Sequence, residues 1–201
     1  LAKQLLTETS LPVTEIAFAS GFSSLRRFNA LFLDRYGLNP SALRKKSGIH
    51  PQSEPLVLSL AYRPPLAWNE LLDFLRSHAL FGVEVVDNSS YARTLQVGDR
   101  KGWLKVTQGT SGKLRVEISH SLVTVLPQVL GKLRHLLDLD ACPATIDSQL
   151  GNDPRLRDSI EQSPGVRVPG CVDGFELAWR TVLGQQVSVA AATRIAGRTV
   201  E

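Results

Sequence analysis

The sequence predicts an α+β protein: a helical amino-terminal segment, an antiparallel α/β unit, and a helical stretch at the carboxy end. Three observations carry this. Apolar residues repeat at helical spacing within residues 1–46. Short alternating runs separated by Gly-containing turns fill the middle of the chain. Helical spacing returns over residues 173–200. Periods of 3.6 and 2 place apolar residues on one face of a helix or a strand, respectively.

In the first segment Leu1, Leu5 and Leu6 share a helical face, as do Val13, Ile16 and Ala17. Ala19-Ser20-Gly21-Phe22 breaks the pattern, and Ser23 is placed to cap a second helix with the stripe Leu25, Phe28, Leu31, Phe32. Gly37 stops that helix and Pro40 follows, before one more turn over Ser41–Arg44. Residues 47–55 are polar, broken by Gly and Pro, and read as a linker. In residues 56–165, Leu56–Tyr62 alternates as a strand and Trp68–Ala79 has helical spacing. Val83–Val86, Thr94–Val97, Trp103–Thr107 and Lys113–Ile118 read as strands, the last three forming a meander. Leu126–Leu139 returns to helix, with Pro127 in its first turn. Residues 141–170 read as irregular. Gly184 divides the last helical stretch in two.

The 201 residues allow one large domain or two to three small ones, at roughly 150 residues per domain. Hydrophobic residues at 43% and charged residues at 21% exclude a disordered or fibrous chain. No apolar run approaches the roughly 20 residues a membrane span needs, and the amino terminus lacks a secretory signal pattern. Cys142 and Cys171 are too few for a disulfide scaffold and lack metal-ligand spacing, which fits a reduced cytoplasmic protein. The chain has no Met and begins at Leu1, so it reads as a piece of a longer protein. Its net charge of +4 is uneven: residues 1–50 carry seven Lys and Arg against three acidic residues, while the remainder balances at 16 each. A basic segment on a neutral body fits either a polyanion footprint or a solvated surface.

Two short helices around a glycine turn suit a helix-turn-helix, whose second helix enters the major groove. Ile16, Phe22, Phe28 and Phe32 would lock the pair. Leu25, Arg26, Arg27 and Asn29 are the candidate base-facing residues: arginine pairs in a bidentate way with guanine and asparagine with adenine. Arg44, Lys45 and Lys46 suit phosphates. The alternative is an ordinary helical hairpin. Val13-Thr14-Glu15-Ile16-Ala17, Ser20-Gly21-Phe22, Phe28, Phe32, Gly37, Pro40 and Arg44 closely resemble the second helix-turn-helix of AraC-type transcription regulators, over residues 1–46.

Toward the other end, Pro164–Glu176 leads into Val182-Leu183-Gly184-Gln185-Gln186-Val187-Ser188-Val189-Ala190. This resembles the start of the helical domain of DNA-3-methyladenine glycosylase II, in the helix-hairpin-helix superfamily. Tyr62-Arg63-Pro64-Pro65, Trp68, Leu72, Phe74-Leu75, Tyr91–Leu95 and Gly98 resemble that family's amino-terminal α/β domain. The resemblance implies an α/β domain over residues 56–165 and the first helices of a glycosylase domain over residues 166–201. It places Gln186 as the wedge that fills the gap left by an extruded nucleotide, where relatives carry Leu. It places Phe74 and His78 at the base pocket, where relatives carry Arg at the second position. On its helix face alone Phe74 reads as core. Asp173 reads as a helix cap rather than a catalytic group. Neither Pro164-Gly165 nor Pro169-Gly170 is bracketed by helices as the family's hairpin would be.

The implied activity is hydrolysis of the N-glycosidic bond of alkylated purines in double-stranded DNA, without metal or organic cofactor. A regulator module would direct it to promoter DNA. The catalytic Asp is expected downstream of Glu201, so residues 1–201 alone are expected to be inactive, and the protein to be a monomer. The alternative is an AraC-type regulator whose α/β part senses a ligand or oligomerises.

Overall fold

Alternating buried and exposed residues along five strands build the centre of the molecule. In the computed structural model, which describes residues 1–47 and 55–199, these strands are β1 (Leu56–Ala61), β2 (Glu84–Val86), β3 (Ser90–Val97), β4 (Arg100–Gln108) and β5 (Lys113–Ile118). They form one antiparallel sheet in the order β1-β5-β4-β3-β2. The period of two puts Leu58, Leu60, Leu104, Val106, Leu114 and Val116 in the core.

Among the described residues, four helices precede the sheet: α1 (Ala2–Glu8), α2 (Val13–Ala19), α3 (Leu25–Tyr36) and α4 (Pro40–Ser47). The cap of α3 is Ser24, not Ser23: its hydroxyl accepts the Arg27 amide at 3.5 Å. The stripe of α3 is also narrower than its sequence pattern. Phe28 and Phe32 are buried, but Leu31 is exposed, because a surface helix buries only the face turned toward its neighbours. Past Gly37, α4 runs two turns to Ser47, longer than the single turn expected. Most of the expected linker, residues 48–54, lies outside the described residues.

Helix α5 (Trp68–His78) follows β1 and buries Trp68, Leu71, Leu72 and Leu75. A 3-10 turn (His120–Val125) leads into α6 (Leu126–Leu136), which has Pro127 in its first turn and buries Val129 and Leu133. The stretch read as irregular holds two short helices, α7 (Pro143–Leu150) and α8 (Arg157–Gln162). Their weak apolar pattern hid them: α8 buries no residue, and α7 buries only Pro143. The loop after α8 returns to the start of α5. A Cβ on Gly165 would lie 2.4 Å from the Pro65 carbonyl oxygen, so only glycine allows this approach. Arg167 secures it, its Nη2 donating to the carbonyls of Arg63 at 2.6 Å and Pro65 at 3.0 Å.

The carboxy end is α9 (Gly174–Leu183) and α10 (Val189–Gly197), divided at Gly184 as expected. Asp173 caps α9, accepting the Glu176 amide at 2.9 Å. Among the described residues no helix is long and apolar enough to cross a membrane.

Candidate nucleic-acid interface

The amino-terminal helices arrange an aromatic ladder inside and basic residues outside. Phe22 and Phe28 meet edge to face at 5.2 Å, Phe28 and Phe32 lie 5.6 Å apart, and Phe32 and Tyr36 lie 4.6 Å apart. Ile16 and Phe28 are fully buried, so α2 and α3 are locked at a fixed angle. The turn between them needs Gly21, whose φ of 86° is costly for other residues. Arg26, Arg27 and Asn29 are exposed on α3. Leu25 turns the other way: it is half-buried and packs against the core, so it is not on the open face of α3. Arg44 is also half-buried, and burial holds its guanidinium below its ordinary pKa. The side chains of Lys45 and Lys46 lie outside the described residues.

A second constellation forms where α5 meets the carboxy-terminal helices. Phe74 is not core. It is 45% exposed and stacks on His78, with ring centroids 4.2 Å apart and planes 23° apart. The i, i+4 spacing puts the two rings one turn apart, and His78 Nδ1 lies 2.8 Å from the Phe74 carbonyl oxygen. Leu71, Leu72 and Leu75 take the inward positions of α5, which leaves Phe74 at the rim.

His78 lines a cavity together with Arg180, Gly184, Val187, Ala192 and Ala196. Gly184 and Val187 belong to the α9–α10 turn, and Gln186 sits between them. Gln186 is exposed and left-handed, with φ 61°. Such a conformation costs a non-glycine residue roughly 1–2 kcal/mol. Strain of this kind is held only where the flanking structure imposes it. Here the flanks are firm, since Ser188 caps α10 by accepting the Ala191 amide at 3.3 Å. His78 and the turn residues Gly184 and Val187, far apart in the chain, therefore border one cavity.

An ionic cluster that sequence reading did not single out holds this junction. Arg180 donates to the His78 carbonyl at 2.7 Å, to Glu84 at 2.6 Å and to Glu176 at 2.6 Å. Arg93 donates to Glu176 at 2.7 Å, and the Tyr91 hydroxyl donates to Glu84 at 2.6 Å. The Leu80 amide also donates to Glu84, at 2.9 Å. Burial pushes the Glu84 carboxyl up, but hydrogen bonds from Tyr91, the Leu80 amide and Arg180 outweigh it and hold the group below its ordinary pKa. Burial likewise opposes charge on Arg93, yet Tyr91, Glu176 and Glu84 hold its pKa above the ordinary value. Two signals were readable. Arg93 occupies an inward position in an alternating strand, and Glu176 and Arg180 are an i, i+4 pair on one helix. Among the described residues, no group of His, Cys, Asp and Glu is arranged to hold a metal ion.

Comparison with known proteins agrees with both halves. Residues 57–173 match the AlkA N-terminal domain, and residues 1–46 match a helix-turn-helix domain. A "Probable bifunctional transcriptional activator/DNA repair enzyme AlkA" of Mycobacterium tuberculosis is 36% identical, over 99% of this chain and 41% of its own length. The "DNA-3-methyladenine glycosylase 2" of Escherichia coli is 36% identical, over 71% of this chain and 49% of its own. The chain thus spans somewhat less than half the length of these curated relatives. Among solved structures, a 3-methyladenine DNA-glycosylase from Archaeoglobus fulgidus shares the fold with a TM-score of 0.61, at 19% identity over 70% of this chain and 48% of its own. With more than half its length in that match, the chain belongs to the AlkA N-terminal domain family and carries a helix-turn-helix domain in front of it.

Proposed function

We propose that the whole protein is a DNA repair glycosylase that hydrolyses the N-glycosidic bond of alkylated purines, fused to a sequence-specific DNA-binding regulator. The observation that carries the reading is a cavity lined by His78, on which Phe74 stacks, and by Gly184 and Val187, which flank the strained Gln186. Residues 1–46 serve as the regulator module, 47–55 as linker, 56–165 as the α/β domain and 166–201 as the start of the helical glycosylase domain. The partner is double-stranded DNA, both promoter and alkylated, and the protein acts as a monomer.

Reaching a base inside a duplex requires extruding its nucleotide, at a cost of about a few kcal/mol. The Gln186 side chain enters the vacated stack, and its amide replaces lost pairing with hydrogen bonds. The extruded base stacks on Phe74, a contact worth about 1–3 kcal/mol per base. An electron-poor alkylated purine gains most from it. Arg26, Arg27 and Asn29 read base edges from α3, and Arg44 and Lys45 contact phosphates. No catalytic acid is assigned within residues 1–201. The apolar side chains that α9 and α10 expose, including Phe175, Val182 and Ile195, are the face on which the remaining helices of the glycosylase domain pack.

The experiment is release of 3-methyladenine from methylated DNA, run with the whole protein and with residues 1–201 alone. Turnover is expected from the first and none from the second. A whole protein that binds methylated DNA without releasing base refutes the enzymatic reading.

A further inference from the structure

The helix-turn-helix is docked on the sheet rather than suspended from it. In α1, Gln4 and Glu8 lie one turn apart and bracket Ser59 of β1, the strand at one flank of the sheet. The Ser59 amide donates to Glu8 Oε2 at 3.1 Å, and its carbonyl accepts from Gln4 Nε2. Gln4 Nε2 also donates to Glu8 Oε2 at 3.0 Å, so the two side chains brace each other. A second contact lies further along. Helix α2 packs on the 3-10 turn, and Glu15 Oε2 sits 3.5 Å from His120 Nε2. Between these polar contacts, Leu5, Leu6, Leu11, Ile16 and Phe28 belong to the same continuous buried cluster as Leu58, Leu122 and Val123.

A shared core resists relative rotation, because rotation would expose apolar area at roughly 25 cal/mol per Å2. It would also leave the Ser59 amide and carbonyl without partners. We propose that the helix-turn-helix and the sheet unit move as one rigid body joined at the β1 flank, so that a duplex held by α3 meets the cavity that His78 lines at one fixed offset. The rigid joint is independent of any activity. The fixed offset rests on the function proposed above.

Two measurements separate the joint from the offset. The first uses spin labels at Ala30→Cys on α3 and Asn69→Cys on α5, in the whole protein with its other cysteines replaced by serine. One narrow distance distribution is expected, and the double change Gln4→Ala, Glu8→Ala should broaden it. A broad distribution in the otherwise unchanged protein overturns the rigid joint. The second uses duplexes that carry the sequence selected by the helix-turn-helix and one alkylated purine, moved one base pair at a time. Excision is expected to rise and fall with the helical repeat of about 10–10.5 bp, and Gln4→Ala, Glu8→Ala should flatten the profile. A flat profile with the unchanged protein overturns the fixed offset while leaving the glycosylase reading standing. Absence of excision at every spacing sinks that reading and the offset with it, and leaves the joint to be judged by the labels.

Discussion

The two ends of this chain are held to the same sheet by opposite means. The amino-terminal helices are held mainly by apolar burial, with Gln4 and Glu8 on Ser59 at its edge: Leu5, Leu6, Ile16 and Phe28 are fully buried. Helix α9 buries no residue completely, and Phe175 stays 80% exposed. It is held by Arg93, Glu176, Arg180 and Glu84 instead. Apolar burial is insensitive to pH and non-directional. A buried ionic cluster is directional and fixes side-chain geometry, at the cost of desolvating each charge. The end that borders the cavity has its geometry set by a guanidinium that grips the His78 carbonyl.

The largest expected effect on this contrast is Phe28→Ala, which should cost about 3–5 kcal/mol as a cavity in the shared core. Urea unfolding would read it, and a loss well below 1 kcal/mol would mean that the amino end is not held by burial. Next is Arg180→Ala. It removes three hydrogen bonds and leaves Glu84, with a side chain only 7% exposed, short of a counter-charge. A loss of about 3 kcal/mol is expected, the low end for breaking a buried pair because Arg180 is itself partly exposed. Arg180→Lys should recover part of it, and a lysine variant no better than alanine would make the fork geometry irrelevant.

The third effect is pH dependence. The folded-state pKa of Glu84 lies below the ordinary 4.5. Its contribution is therefore complete above pH 4.5 and is lost as pH falls through the lowered folded value. Thermal melts should show Glu84→Gln reducing the acid sensitivity of stability while Phe28→Ala leaves it unchanged; equal slopes in both variants would erase the distinction. The smallest effect is Asp173→Ala, about 1 kcal/mol for the lost cap of α9. Amide exchange confined to the first turn of α9 would register it, and unchanged protection there would show the cap to be dispensable.

Much of the fold was legible because period and punctuation agreed. The alternation in Lys113–Ile118 and the division at Gly184 appear where the pattern put them. Helices α7 and α8 were not legible, since a helix that buries almost nothing leaves no apolar stripe to read. Leu25 and Leu31 show the limit of periodicity. Both fit the stripe of α3, but only the neighbours present in three dimensions decide that Leu25 is covered and Leu31 is not. Phe74 shows the same limit in reverse, an aromatic on an apolar pattern that the fold leaves at the rim. The ionic cluster escaped because its members come from β2, β3 and α9, and linear spacing reveals only the Glu176–Arg180 pair.

An open flank of a sheet is a standing invitation to another polypeptide, since its amides and carbonyls seek partners. Gln4 and Glu8 answer that demand at Ser59 from within the molecule, and the opposite flank, β2, is only three residues long. The amino-terminal helices thereby double as a guard against edge-to-edge aggregation, and a variant stripped of them should precipitate more readily on heating than the intact chain.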